Sequence, residues 1–274
     1  MTIEVFHNRF LALQTPDLTR MLLRNTKLTP DGLAAIYPDF NQYRVYRPLN
    51  GLLYLRETPL RIQRDPKIIL QIMGGSAAGK NTVMNLLRTQ LTSHSIDHKT
   101  ILTATTRQRG IHRIPPEPKD AHIWLERDEF KRQKIAGQFI ETIHQGFEWY
   151  GTGKKELEDA LESNSSIIFW EAEIYGSPFM KEYLEERAKE GKPRIPIVTI
   201  YLLNGESIRD YAKRIWRYRS YEFWWRFPKS MAEVKHAVKE EVDGFLLNKP
   251  TNDPKLTEVI DTLMRYLNEK VENV

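Results

Sequence analysis

The stretch on which the fold turns is Ile68-Ile69-Leu70-Gln71-Ile72-Met73-Gly74-Gly75-Ser76-Ala77-Ala78-Gly79-Lys80-Asn81-Thr82. An apolar run of strand length leads into G-x-x-x-x-G-K, and Val83, Leu86 and Leu87 follow at helical spacing. Glycines let successive backbone N–H groups converge on phosphate oxygens, and the start of the helix adds its positive end. Lys80 is placed to reach the outer phosphates of a nucleoside triphosphate. A glycine-rich turn carrying a solvated lysine would need neither the strand before it nor the helix after it. Gly74, Gly75, Ser76, Ala77, Ala78, Gly79, Lys80, Asn81 and Thr82 are therefore the predicted ATP-binding loop. The position after the lysine usually holds Ser or Thr, whose hydroxyl ligates Mg²⁺. Here it is Asn81. Its amide oxygen and the neighbouring Thr82 hydroxyl are the two candidate magnesium ligands, with water as the alternative.

Outward from this loop, strands alternate with helices, which predicts an α/β class with a mostly parallel sheet. Strands are expected at 67–73, 99–104, 166–171, 196–202 and 244–247. Helices are expected near 80–91, 127–136, 153–163, 177–190, 206–218, 220–241 and 254–270, and short antiparallel strands within 138–151. Residues 1–66 form a predicted extension of separate character. Helices start at Thr15-Pro16-Asp17 and Thr29-Pro30-Asp31, and a hairpin folds about Pro48-Leu49-Asn50-Gly51. A link through Arg64-Asp65-Pro66 leads to the second unit, 67–274.

The chain of 274 residues is 41% hydrophobic and 28% charged, which allows a full core. It has no cysteine, so disulfides, thiolate metal sites and cysteine nucleophiles are excluded. The seven histidines show no metal-ligand spacing. No run approaches the ~18 apolar residues of a membrane span, and the start, with Glu4, does not read as a signal peptide. These features predict a cytoplasmic protein. The net charge of +5 suits an anionic ligand and falls far short of a dedicated nucleic-acid binder.

Five further segments follow in order: Thr103-Ala104-Thr105-Thr106-Arg107, Phe139-Ile140-Glu141, Phe147-Glu148-Trp149-Tyr150-Gly151-Thr152, Glu171-Ala172-Glu173-Ile174-Tyr175-Gly176 and Asp243-Gly244-Phe245-Leu246-Leu247-Asn248. Each is a weak signal by itself. The ordered series, with the phosphate loop, resembles the guanylate kinase family over residues 67–270. That resemblance implies a P-loop three-layer fold with a small antiparallel monophosphate-binding part at about 104–152 and a helical lid at about 207–229. It implies a kinase that moves the ATP γ-phosphoryl to GMP or dGMP with Mg²⁺. It places Arg107 and Tyr150 on the acceptor phosphate, puts Thr103, Glu141 and Thr152 at the base with Gly151 among the monophosphate-binding residues, and adds Asn248 to the ATP site.

The chemistry of Glu141 agrees with such a base. Guanine offers N1–H and N2–H₂ side by side, and one carboxylate accepts both, whereas adenine offers no such donor pair. Glu171 and Glu173 replace family aspartates. Their i, i+2 spacing sets both on one face of a strand end, near the nucleotides or simply in solvent. The family's second phosphate-binding arginine is matched by Arg109 or Arg113. His122 stands where the family has a tyrosine, as a nitrogen donor or as a surface histidine.

The lid stretch carries Arg209, Lys213, Arg214, Arg217, Arg219, Arg226 and Lys229 against Asp210 and Glu222. Arg214 and Arg226 best match the arginines that would act on the triphosphate beside Lys80 and Arg107. The same stretch is rich in aromatics: Tyr211, Trp216, Tyr218, Tyr221, Phe223, Trp224, Trp225 and Phe227. Core packing, a contact in a homo-oligomer and stacking on nucleic acid remain open for them. Two rival readings of the whole chain also stand: a guanylate-kinase-like protein-binding module, and a kinase for another nucleotide or a sugar phosphate.

Overall fold

Burial of an uninterrupted apolar run fixes the first element of the domain. Ile68–Gly74 forms strand β2, with Ile68 through Met73 all buried, as a strand covered on both faces requires. The computed structural model describes residues 53–55, 67–108, 122–219, 222–239 and 242–248. The expected helices at 15–23 and from 29, the first hairpin strand at 43–47, the helix at 254–270, Arg109 and Arg113 lie outside these residues.

The described residues fall into two units, and β2 contributes to both: 67–70 count with one and 71–74 with the other. The first unit also holds 75–95, 198–248 and β1 (Leu53–Leu55). Its helix α1 (Lys80–Ser93) buries Val83, Met84, Leu87 and Leu91, one stripe at helical spacing. Strand β9 (Ile197–Leu203) belongs to it from Val198 onward. It runs parallel to β10 (Gly244–Leu247), with Gly244 opposite Ile200 and Leu247 opposite Leu203. Strand β1 adds to the other edge of β10 in antiparallel sense. Between β9 and β10 lie α5 (Ile208–Arg219) and α6 (Phe223–Lys239). Pro228 sits in the second turn of α6, where its missing N–H removes one i→i−4 bond.

The second unit holds 96–197 with the start of β2. Strand β3 (His98–Ile101) runs parallel to β8 (Ile167–Glu171). Helices α3 (Lys154–Leu161) and α4 (Ser177–Lys189) flank them. Ile69, Ile101, Leu157, Leu161, Ile168, Trp170, Met180 and Leu184 form its core. At about 1.5–3 kcal/mol for each large side chain, this cluster holds the end of β8 and the turn after it in place. A second sheet has the order β5-β4-β7-β6. It is made of β4 (Thr103–Thr105), β5 (Ile123–Trp124), β6 (Phe139–Gln145) and β7 (Glu148–Gly153). Helix α2 (Arg127–Ile135) precedes β6. The β6–β7 hairpin closes through Gly146-Phe147, with Gly146 at φ 65°, a value that favours glycine at the head of a two-residue turn.

One expectation changes. The single strand predicted over 99–104 is two, divided at Leu102: β3 pairs with β8, while β4 pairs with β5 and β7. Both halves are β-branched and half-apolar, so the pattern carries no mark of the change of sheet. The aromatics of α5 and α6 also divide. Tyr211 and Phe227 are buried, whereas Trp216 and Trp224 are 51% and 73% exposed. Trp216, Phe223 and Trp224 pack edge to face with one another at ring separations of 5.3–6.5 Å.

Candidate active site

The loop after β2 depends on left-handed backbone and on bare Cα atoms. Ala77 has φ 59° and Gly79, which caps α1, has φ 88°. A Cβ on Gly79 would lie 2.1 Å from Asn248 Nδ2, and one on Gly75 would lie 2.5 Å from the Tyr211 hydroxyl. The loop is also wired into its own unit. Asn248 Nδ2 donates to Ala78 O at 2.7 Å, and the Tyr211 hydroxyl donates to Ser76 O at 2.7 Å. The Ser76 N–H donates to Ser230 Oγ at 2.9 Å. Burial drives the Tyr211 pKa well above its ordinary value, so this hydroxyl keeps its proton.

The cations of this unit are held by its own acceptors. Lys80 Nζ donates to Gly74 O at 2.8 Å. Arg226 gives two bonds to Glu222, Nε–Oε2 at 2.5 Å and Nη2–Oε1 at 3.1 Å, and a third from Nη1 to Ser76 Oγ at 2.9 Å. Its guanidinium also lies 4.5 Å from the centre of the Trp225 ring. Arg214 donates to Glu206, and to Ala77 O at 3.3 Å. Arg214, Arg226 and Lys80 therefore all meet the phosphate loop. Asn81 and Thr82 are exposed on the first turn of α1, which carries no acidic residue. Among the described residues no three His, Cys, Asp or Glu cluster as a metal site.

In the second unit, register brings the predicted base residues into a row. Thr103 on β4 lies opposite Thr152 on β7, and Thr152 lies opposite Glu141 on β6. Residues directly opposite share a face. Tyr150, two residues before Thr152, shares it as well. Glu141 is 6% exposed. It enters the row because the β6–β7 pairing slips between Phe139 and Glu141, a bulge that re-aims the strand. Thr152 donates to Glu141 Oε1 at 2.7 Å, while Glu141 Oε2 is buried with no hydrogen-bond partner. Burial pushes the Glu141 pKa up to about 7, against the Thr152 hydrogen bond, and the negative charge of Glu173 adds to the rise.

Around this row, Gly151 is buried, and a Cβ there would lie 2.9 Å from the Phe139 ring. Thr103 Oγ1 and His122 Nδ1 are 3.3 Å apart. His122 packs edge-on against Trp124, and the Arg107 guanidinium lies 5.5 Å from the centre of that ring. The Arg107 N–H donates to Thr105 Oγ1 at 3.1 Å. Glu171 closes β8 and Glu173 precedes the short 3₁₀ turn Ile174–Gly176, both half-buried.

Sequence reasoning passed over Tyr211, Ser230, Glu206, Glu222, Trp124 and Trp170 as site residues. Only Glu222, four residues before Arg226 on a helix, left a spacing signal. The others meet their partners through the fold alone.

No family model matches the chain. Curated relatives do. The chain is 27% identical over 206 residues to the guanylate kinase of Wigglesworthia glossinidia brevipalpis, covering 74% of this chain and 89% of that one. It is 26% identical over 181 residues to the guanylate kinase of Paraburkholderia xenovorans, covering 58% and 76%. The crystal structure of guanylate kinase from Anaplasma phagocytophilum shares the fold, with a TM-score of 0.51 at 19% identity over 77% of this chain and 89% of that one. This likeness supports a P-loop phosphotransferase. By sequence the chain is similar to guanylate kinases at 26–27% identity, and this likeness, with the shared fold, supports a place in the guanylate kinase family.

Proposed function

We propose that the chain transfers the γ-phosphoryl of ATP to GMP or dGMP. The observation that carries the guanine reading is Glu141: a buried carboxylate with one oxygen unpaired, in a row with two threonines. An unmet buried acceptor costs about 1–3 kcal/mol. Guanine, with two adjacent N–H donor groups, relieves that cost, and adenine does not.

In the reaction, an oxygen of the acceptor phosphate attacks the γ-phosphorus as the bond to the β–γ bridging oxygen breaks, giving ADP and the diphosphate. Lys80, Arg214 and Arg226 carry positive charge at the loop, and Arg107 and Tyr150 receive the acceptor phosphate. Asn81 and Thr82 offer neutral hard oxygens open to solvent, the donor class a Mg²⁺ ion accepts while keeping most of its water. That ion, when bound, neutralises charge on the outer phosphates. For the three cations the nucleotide has to replace existing partners: a loop carbonyl for Lys80, Glu206 for Arg214 and Glu222 for Arg226.

A second reading, a protein-binding module without turnover, draws on Asn81 in place of the usual hydroxyl residue. The test is ADP formation from ATP and Mg²⁺ with GMP, dGMP, AMP, CMP and UMP offered separately. Turnover confined to GMP and dGMP is expected. Turnover with another monophosphate removes the guanine site, and silence with all five favours the module.

A further inference from the structure

The hydrogen-bond chain through Glu141 has a direction. Trp170 Nε1 lies 3.0 Å from Thr152 Oγ1, and Thr152 Oγ1 lies 2.7 Å from Glu141 Oε1. Trp170 and Thr152 are both 0% exposed. An indole N–H can only donate, so the threonine oxygen is the acceptor of the first bond. A hydroxyl has one proton, and that proton goes to Glu141 Oε1. The Thr152 hydroxyl therefore has no proton left to give a ligand carbonyl. Gly176 packs beside both ends of the chain: a Cβ there would lie 3.4 Å from Glu141 Cγ and 3.6 Å from Trp170 Cζ2.

We propose that Trp170 is a positioning residue for base recognition: its indole N–H fixes the Thr152 hydroxyl as a donor to Glu141 Oε1 and leaves Oε2 as the oxygen that meets the base. Thr152 then acts as an internal link rather than as a direct base contact. The choice of base rests on N–H groups presented to Oε2, with Thr103 across the sheet as the remaining hydroxyl. This inference rests on the guanine reading for its ligand and on the unliganded geometry for its mechanism.

A ¹³C carboxyl NMR titration of Glu141 in the unliganded full chain separates the two. Trp170→Phe keeps an aromatic ring, though a smaller one, and loses the N–H donor. The Thr152–Glu141 bond loses its fixed direction and its polarisation, so the carboxylate is less stabilised. The Glu141 midpoint is expected to rise by about half a pH unit, a threefold change in its proton affinity. Glu173 is the charged group acting on Glu141 among the described residues, and it is unchanged in this variant. KM for GMP at pH 6, below the midpoint, is expected to rise about threefold with kcat within about twofold, and Thr152→Ser is expected to keep the wild-type midpoint.

An unmoved midpoint in folded Trp170→Phe overturns the proposal even if GMP turnover is normal. A raised midpoint without GMP turnover keeps the link and removes the guanine reading. If Trp170→Phe does not fold, the wild-type protein decides: the Trp170 indole ¹H–¹⁵N resonance must move with the midpoint of Glu141, and an indole that stays flat overturns the link.

Discussion

The phosphate loop and the sheet proposed to recognise the base are prepared in opposite ways. At the loop the charged groups have partners within the protein: Lys80 on Gly74 O, Arg214 on Glu206, Arg226 on Glu222. At the sheet, Glu141 Oε2 has none. The loop's cations thus already have partners, and a phosphate gains only the difference between new bonds and those it displaces. The sheet has an unmet acceptor, so a matching donor gains nearly the whole of its bond. On the proposed function, strength at the loop comes from many exchangeable contacts, and selectivity at the sheet comes from one acceptor that the protein itself leaves unmet.

The largest expected effect tests the loop. Lys80→Ala is expected to lower kcat at least a hundredfold while the thermal unfolding midpoint stays near that of the wild type. Activity within tenfold of wild type would place the phosphate chemistry elsewhere. The sheet comes next. Glu141→Gln offers a donor where the base needs an acceptor, and KM for GMP is expected to rise about 10- to 100-fold with KM for ATP unchanged. Equal rises in both constants would show that the two regions are not separate in function.

Glu141 also makes stability depend on pH. Its folded pKa, about 7, is above the ordinary 4.5. Its carboxyl therefore contributes fully below pH 4.5, and that contribution is lost as pH rises through about 7. The loss is on the order of 3 kcal/mol for a shift of this size. Denaturant melts from pH 4.5 to 8 are expected to show this fall in the wild type and not in Glu141→Gln. Identical slopes would mean that the carboxylate is already paired or solvated. Gly79→Ala is expected to cost a similar ~1–3 kcal/mol, through φ 88° and the approach to Asn248. The smallest effect belongs to Glu222→Gln. Removing the carboxylate that competes for Arg226 is expected to lower KM for ATP about two- to fivefold. A rise would make Glu222 a support of the arginine rather than its competitor.

How much of this was legible in the sequence follows the same division. The phosphate loop is written in adjacent residues, because glycine spacing, strand and helix all bear on one backbone turn. β10 follows the same logic: Gly244–Leu247 is a short apolar run bounded by Asp243 and Asn248. Thr103, Glu141, Tyr150 and Thr152 came from a resemblance, and only register brings Thr103, Thr152 and Glu141 into a row. The link from Trp170 to Thr152 spans 18 positions, and that from Tyr211 to Ser76 spans 135. Nothing local marks either. Trp170 reads as one more apolar residue in a buried strand, and its indole N–H matters only once the neighbouring sheet is in place. The break at Leu102 escaped for the same reason, since strand propensity does not say which sheet a strand joins.

The central claim is that a guanine base meets the unpaired oxygen of Glu141. Calorimetry of GMP binding at pH 6, in two buffers of different ionisation enthalpy, counts the protons released. With a pKa of about 7, Glu141 holds about 0.9 of a proton at pH 6 and must give it up to accept from the base. The phosphate of GMP also titrates near pH 6, so the decisive quantity is the difference between wild type and Glu141→Gln. The account predicts close to one extra proton released by the wild type at pH 6 and almost none at pH 8.5. Equal proton counts for the two proteins at both pH values would contradict it.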